Sequence, residues 1–230
     1  MPSRRERRSS TSGRRSAIHG ALAFGLGGLI EIVSFVYPTL LPRSFLMKHP
    51  WSMKYPGTTI ISLAGPVLGG AIGGAWLGWV MKKRAVWAVE GALAFGVGFL
   101  PAAIAMLITL MAGQGMSGNE SILETAPFFT LGFGIGFGIS GALAGALVLA
   151  GSRVLLASAK AFAIGGVAGG IVISTAFLLL RLLGHSQGQV LTYGMFAGIL
   201  VPYCLGGALL GAAVPGLPKS EENGPVQLGL

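Results

Sequence analysis

Six long apolar segments are the feature that most limits what this chain can fold into. Each is longer than the ~20 residues that an α-helix needs to cross the hydrocarbon core of a bilayer. The apolar runs are continuous rather than alternating, so a transmembrane barrel is excluded and the backbone amides must be satisfied within helices. The sequence predicts an all-α integral membrane protein with transmembrane helices at 17–41, 58–81, 85–112, 127–151, 154–183 and 190–214.

The scarcity of charge agrees with a lipid environment. Charged residues make up 10% of the 230 residues, whereas a soluble domain carries roughly 25%. All seven acidic residues are glutamate, so aspartyl dyads, aspartyl-phosphate chemistry and Asp-rich calcium loops are excluded. The single cysteine, Cys204, excludes an internal disulfide, and its apolar surroundings in the sequence predict a small buried hydrophobic residue.

The basic residues predict the orientation in the membrane. Six of the sixteen lie in residues 1–16, ahead of the first apolar segment, and the net charge is +9. Beside a transmembrane helix, such a tail is an orientation signal rather than an arm that binds nucleic acid. The tight turns at 82–84 and 152–153 fall on the same side and are also basic. We therefore expect an inner (plasma) membrane protein with both termini in the cytoplasm, although Arg43, Lys48 and Lys54 oppose this bias.

An internal repeat is predicted by the hexapeptide GALAFG, which occurs at 20–25 and again at 91–96, an offset of 71 positions. Other residues recur at the same offset, and a second step of 71 reaches a third set. The glycine triplets with this spacing are Gly27, Gly98 and Gly169, and Gly65, Gly136 and Gly207. We interpret the pattern as three tandem helical hairpins, at 17–87, 88–158 and 159–229.

The predicted domain organisation follows from this repeat. A disordered basic cytoplasmic tail at 1–16 precedes a six-helix domain at 17–214, in which the third hairpin ends at 214, and a polar tail follows at 215–230. Each unit contains two helices, so successive copies enter the membrane in the same direction and predict a pseudo-threefold bundle. Three such hairpins resemble the architecture of mitochondrial carriers. The first segment ends in YPTLLPR, without that family's acidic residue, so the resemblance concerns symmetry alone.

The glycines predict close helix packing. Many lie four residues apart within one apolar segment, as in Gly65, Gly69 and Gly73. In lipid, small residues of this GxxxG type allow two helix backbones to approach, and the resulting contacts stabilise the bundle. We expect the triplet glycines to be packing positions. Their spacing does not determine whether the bundle leaves a passage along its axis.

Glu31 is the most informative polar residue. It lies about fourteen residues into the first segment, or roughly 21 Å at 1.5 Å per residue, beyond the middle of a core ~30 Å thick. Gly20, Gly27 and Glu31 share one helical face, so the carboxyl is predicted to point into the bundle. An ionisable group within the membrane is by default a candidate functional site. A protonated glutamate bonded to a neighbouring backbone is the structural alternative.

A second candidate group consists of His19, Glu90 and Lys160. His19 and Glu90 are 71 positions apart, and Lys160 lies one residue before the third equivalent position. All three lie near the predicted cytoplasmic ends of odd-numbered helices. On a threefold bundle, these ends could converge into a charged ring that gates a pathway. The alternative is snorkelling of each side chain to the interface.

One motif suggests an enzyme. The sequence GISG at 138–141 resembles the GxSG nucleophile motif of rhomboid intramembrane proteases, in which a histidine in the sixth helix assists the serine. The sixth segment here contains no histidine, and a serine without a base is a weak nucleophile. The sequence therefore favours a protein that is not an enzyme, and it indicates no metal ligands and no particular cofactor.

Two functions remain open. The first is passage of a small solute or ion along a path lined by Glu31, Glu90, His19 and Lys160. The second is a non-enzymatic scaffold or an accessory subunit of a larger membrane complex, which the scarcity of polar residues favours. The expected partners are the lipid bilayer and either other membrane proteins or further copies of the chain, and nucleic acid is not expected.

Overall fold

The computed structural model describes residues 4–40, 57–82, 85–115, 122–148, 152–183 and 188–214. Within these ranges the chain is helical and contains no strand. The helices in chain order are α1 (Arg4–Leu40), α2 (Gly57–Lys82), α3 (Ala85–Gly98), α4 (Leu100–Gly115), α5 (Ile122–Leu147), α6 (Ser152–Leu183) and α7 (Gly188–Ala213). Helix α1 begins at Arg4, within the predicted N-terminal tail 1–16, whose disorder remains a prediction. The predicted C-terminal tail, 215–230, lies outside the described residues.

The helices have the length and composition of membrane spans. Five described segments are long and apolar enough to cross a bilayer: Gly13–Val33, Ala85–Ala105, Pro127–Leu147, Val154–Ala176 and Tyr193–Ala213. Helix α2 is a further long apolar helix, of 26 residues. The predicted class, an all-helical protein embedded in a membrane, is therefore confirmed. The duplicated hairpin and its pseudo-threefold symmetry remain predictions.

The helices form a closed ring in chain order. Helix α1 packs against α2, and α2 packs against α3 and α4. The ring continues through α5, which packs against α3 and α4, to α6 and α7, and α7 returns to pack against α1. Each helix, with α3 and α4 taken together, therefore has a neighbour on either side and presents one face to the centre and one to the outside.

The outer face of this ring is apolar. Helix α1 exposes side chains at spacings of three and four residues: Ile18, Leu22, Leu26, Leu29 and Val33. Such a stripe of large apolar side chains is unfavourable in water but normal against lipid tails. Small residues and Phe24 occupy the opposite face of the same helix. The two faces of α1 therefore separate lipid contact from helix packing.

Aromatic rings fill the centre of the ring of helices. Phe162 of α6 lies 5.0 Å from Phe24 of α1 and 4.9 Å from Phe99, measured between ring centroids. Phe99 also lies 6.0 Å from Phe137 of α5. All four side chains are at most 2% exposed. At this level the interior is a close-packed hydrophobic core, and aromatic pairs at such distances and tilts add to the stability that burial provides.

Glycines bring consecutive helices into backbone contact. All six triplet glycines are buried, and a methyl group built on any of them would meet atoms of another helix. The same kind of contact recurs where α2 meets α3, α5 meets α6 and α7 meets α1, with a glycine against a backbone carbonyl oxygen: Gly74 on Gly91, Gly141 on Ser158, and Gly207 on Gly20. The last of these contacts closes the ring, because it joins α7 to α1.

Helices α3 and α4 form one apolar segment that is interrupted at Phe99, which adopts a turn. Pro101 follows in the first turn of α4 and lacks the N–H that would bond four residues back. Helical bonding continues on both sides, because the N–H of Phe99 donates to the carbonyl of Phe95 at 3.0 Å and the N–H of Ala103 donates to the carbonyl of Phe99 at 3.1 Å. The interruption is therefore local.

Candidate functional site

Glu31 lies on the inner face of α1, within the apolar span Gly13–Val33. Its side chain is 0% exposed. Gly20, Gly27 and Gly28 precede it on buried positions of the same helix, so the helical periodicity directs the carboxyl away from the lipid-facing stripe. The carboxyl group is thus held within the ring of helices.

Helix α2 forms one wall around Glu31. A methyl group built on Gly65 would lie 2.9 Å from the Cα of Glu31 and 3.0 Å from its Cγ. These separations are shorter than van der Waals contact, so a residue with a Cβ at position 65 would require the two helices to move apart. Only glycine allows α2 to pack directly onto the glutamate side chain.

Helix α7 forms the other wall and contributes Tyr203, which is also 0% exposed. A methyl group on Gly28, one turn before Glu31, would lie 3.1 Å from the Cδ2 atom of the tyrosine. The hydroxyl of Tyr203 is close enough to the Glu31 carboxyl for the two groups to interact electrostatically. The site therefore pairs a carboxyl from α1 with a phenol from α7.

Neither group is satisfied. Both carboxyl oxygens of Glu31 and the hydroxyl of Tyr203 are buried without a hydrogen bond of acceptable geometry. Leaving a buried polar group without a partner costs roughly 1–3 kcal/mol, and more for a charged group. Buried unsatisfied groups are uncommon, and each one calls for an explanation. Here two such groups face each other.

The ring of Tyr203 is held by the aromatic core. It stacks on Phe99, with centroids 5.7 Å apart, and it meets Phe137 edge to face at 5.4 Å. Two packed neighbours restrict the rotation of the phenol. The position of its hydroxyl beside Glu31 is therefore fixed by the core.

Tyr203 was not among the site residues predicted from the sequence. The sequence feature that could have identified it is its position along the apolar segment. Trp and Tyr usually lie at helix ends, where the ring reaches the membrane interface. Tyr203 instead lies near the middle of the 26-residue helix α7, next to Pro202. A phenol at that depth needs a hydrogen-bond partner, and Glu31 is the polar residue predicted at comparable depth.

The other predicted pathway residues lie elsewhere. His19 on α1 and Lys160 on α6 are exposed, and Glu90 on α3 is half-buried. Each shares a helical face with exposed apolar side chains three or four positions away: Leu22, Val86 and Leu93, and Leu156 and Ile164. Their side chains thus belong to the outer faces of three separate helices. The structure does not bring them together in an axial ring, because the inner faces of these helices are occupied by glycine and phenylalanine.

Ser140, the serine of the GISG motif, has a structural partner. It is 0% exposed, and its Oγ accepts a hydrogen bond of 2.8 Å from the backbone N–H of Ala102. Ala102 lies in the first turn of α4, where a helix has N–H groups without an intrahelical acceptor. The serine therefore satisfies the backbone beside the interruption at Phe99.

The structure offers no group of three or more His, Cys, Asp or Glu side chains placed to hold a metal ion among the residues it describes. The fold and the buried carboxyl together define a polytopic helical membrane protein with an ionisable group inside the bundle. No protein-family model matches the chain, and neither a curated protein nor a solved structure matches it significantly. Inferences about its function therefore come from its own side chains.

Proposed function

We propose that the protein moves a small ion or solute across the plasma membrane, with Glu31 as the group that binds it. The observation that carries the proposal is the pair of unsatisfied carboxyl oxygens on a fully buried side chain. A buried carboxyl within the membrane destabilises the fold, and a functional role is the default explanation for its presence there. The positive-inside bias supports an orientation with both termini in the cytoplasm.

The aromatic core limits the form of the pathway. Phe24, Phe99 and Phe162 occupy the centre of the bundle, so an open pore along the axis is not favoured. Glu31 lies to one side, where α1 meets α2 and α7. A path beside the axis, opened by a small separation of α1 from these neighbours, agrees best with this packing. The cargo must therefore be small.

Flux through proteoliposomes tests the proposal. Vesicles that contain the purified wild-type protein are expected to release trapped sodium, potassium, protons or a small neutral solute faster than protein-free vesicles do. Glu31→Gln keeps the shape of the side chain and removes its ability to ionise, and we expect it to lower the flux by roughly 100-fold. Glu124→Gln, in the first turn of α5, is the matched control and should retain the wild-type flux.

Two results would contradict the proposal. One is a wild-type flux no greater than that of empty vesicles for every cargo in the panel. The other is a Glu31→Gln variant that is folded, as judged by circular dichroism and size-exclusion chromatography, and that conducts like the wild type.

A scaffold or accessory subunit is the second candidate, and the close-packed aromatic centre favours it. Such a protein needs a rigid bundle and an apolar exterior, but no ionisable site. It should purify in mild detergent with a membrane-protein partner at fixed stoichiometry, and Glu31→Gln should leave that complex intact. Size-exclusion chromatography with multi-angle light scattering measures this, and a homogeneous single copy of the chain would contradict it.

A further inference from the structure

The polar atoms around Glu31 are few, and their number limits what can bind. Two carboxyl oxygens and the hydroxyl of Tyr203 are unsatisfied at this site, and the hydroxyl of Ser158 on α6 is a further buried atom without a partner among the described residues. The remaining walls are the backbone of Gly65 and the face of Gly28, whose peptide groups lie within helices and are used there. Calcium takes six to eight oxygen ligands, and magnesium requires near-octahedral coordination. A proton requires one acceptor, which this site has.

The helices packed against α1 bring no competing charge to the site. Helix α2 has no ionisable side chain between 57 and 81, and Lys82 is its last residue. Helix α7 brings Tyr203 and its neighbour Cys204 to α1. The cysteine packs against Gly25, where a methyl group would lie 2.9 Å from its sulfur, and Gly25 is six residues before Glu31. Tyr203 is thus the titratable group that faces Glu31 among the described residues of these helices.

We infer that the cargo is a proton, which Glu31 binds beside the hydroxyl of Tyr203 as it passes from one side of the membrane to the other. The inference rests on the proposed function and names its substrate. On one side, an O–H bond of a hydronium ion breaks as an O–H bond forms with a carboxylate oxygen of Glu31, so that water is left behind and the side chain becomes neutral. On the other side, the O–H bond of Glu31 breaks as the proton forms an O–H bond with a water molecule, which becomes hydronium and leaves the carboxylate ionised.

Tyr203 serves both states of the carboxyl. Its hydroxyl has one donor and two acceptor positions. It can donate to the ionised carboxylate, and it can accept from the neutral acid. It keeps its own proton throughout, so it is a positioning residue rather than a carrier. The contacts with Phe99 and Phe137 hold the hydroxyl where it can form either of these two hydrogen bonds.

Proton flux into vesicles tests the inference. Proteoliposomes contain a trapped pH-sensitive dye, and a potassium gradient with valinomycin sets a membrane potential. We expect proton uptake with wild-type protein, a loss of roughly 100-fold in Glu31→Gln, and a loss of about tenfold in Tyr203→Phe, which keeps the ring and removes the hydroxyl. Glu124→Gln and Tyr193→Phe are the matched controls, since Tyr193 is on the same helix but 67% exposed.

The outcomes of this experiment distinguish failure of the proton inference from failure of the proposed function on which it rests. If the wild type moves sodium, potassium or a neutral solute in a Glu31-dependent manner but moves no protons, the inference is overturned and the proposed function stands. If no cargo depends on Glu31, both are overturned. A Tyr203→Phe variant that conducts protons like the wild type overturns the part assigned to Tyr203.

Infrared difference spectroscopy provides a readout that is independent of flux. Spectra recorded across a pH titration should contain a C=O stretch from protonated Glu31 in addition to those of the other six glutamates. The Glu31 band should be absent in Glu31→Gln, shifted in Tyr203→Phe because the neutral acid loses the neighbouring hydroxyl, and unchanged in Tyr193→Phe. A wild-type protein without the band, or a band that persists in Glu31→Gln, would overturn proton binding at this site.

Discussion

Ser140 and Glu31 are both polar, both fully buried and both set in apolar helices, yet their surroundings differ. The hydroxyl of Ser140 accepts the N–H of Ala102 at 2.8 Å, next to the interruption between α3 and α4. The carboxyl of Glu31 has no such partner, and the hydroxyl that faces it is also unsatisfied. One polar group completes the hydrogen bonding of the backbone, and the other is left with unused capacity.

The comparison distinguishes a buried polar group that satisfies the backbone from one whose hydrogen-bonding capacity is unused. A buried network that is fully satisfied makes a core more rigid and specific, whereas one that is partly satisfied costs stability. Ala102 is 71 positions after Glu31, the offset of the predicted repeat. If the repeat is real, equivalent positions in two hairpins carry different features: a backbone N–H capped by a serine, and a carboxyl that is left unpaired.

The largest loss of stability is expected from a substitution in the packed interior that encloses both side chains. Phe162 contacts Phe24, Phe95 and Phe99, so Phe162→Ala should leave a cavity and destabilise the bundle by about 3–5 kcal/mol. Leu156→Ala, on the lipid-facing side of the same helix and 53% exposed, should cost much less. SDS-induced unfolding in mixed micelles measures both. Equal losses would show that the centre is not close-packed.

An intermediate effect is expected at the satisfied site. Ser140→Ala removes the acceptor and leaves the buried N–H of Ala102 without a partner, so the protein should lose about 1–3 kcal/mol. Thr175→Ala is the control, because its exposed hydroxyl donates to the carbonyl of Ile171 within one helix, and it should change stability by less than about 0.5 kcal/mol. The same unfolding assay applies. A Ser140→Ala variant as stable as the control would remove the contrast between the two sites.

The smallest effect on stability, and the one of opposite sign, is expected at the unsatisfied site. Glu31→Met replaces the carboxyl with an apolar side chain of similar length, so stability should stay the same or rise by about 1 kcal/mol. A marked loss of stability in Glu31→Met would mean that the carboxyl has a structural partner, and Glu31 would then resemble Ser140.

Much of the fold could be predicted from the sequence because lipid imposes simple rules. The long apolar runs predicted the helices, and the spacing of Gly20, Gly27 and Glu31 predicted the buried face of α1. Pro101 is the local sequence signal for the interruption at Phe99. Whether a proline ends, bends or merely perturbs a helix depends on neighbours that satisfy the backbone groups around it. Here Ser140, from another helix, accepts the N–H of Ala102, the residue after the proline.

The candidate site could be predicted only in part. Glu31 was found because a carboxyl deep in an apolar helix is rare and costly. Tyr203 was missed, because its role depends on which face of α7 meets α1. The sequence grouped His19, Glu90 and Lys160 because they lie at or next to equivalent positions of the predicted repeat, near the cytoplasmic ends of helices. Such a position along a helix does not fix the direction of a side chain. The structure places them on outward faces of α1, α3 and α6.

The lipid environment, the helices and the buried face of α1 could be predicted from the sequence alone, because they follow from the apolar length and the 3.6-residue period of single segments. The residues at the centre of the bundle and the residue that faces Glu31 depend instead on how the helices pack. Six helices with glycine-rich faces can pack in several orders and rotations with similar burial of area. The close contacts of Gly65 with Glu31 and of Gly28 with Tyr203 select one of them, and that choice places a phenol beside the carboxyl.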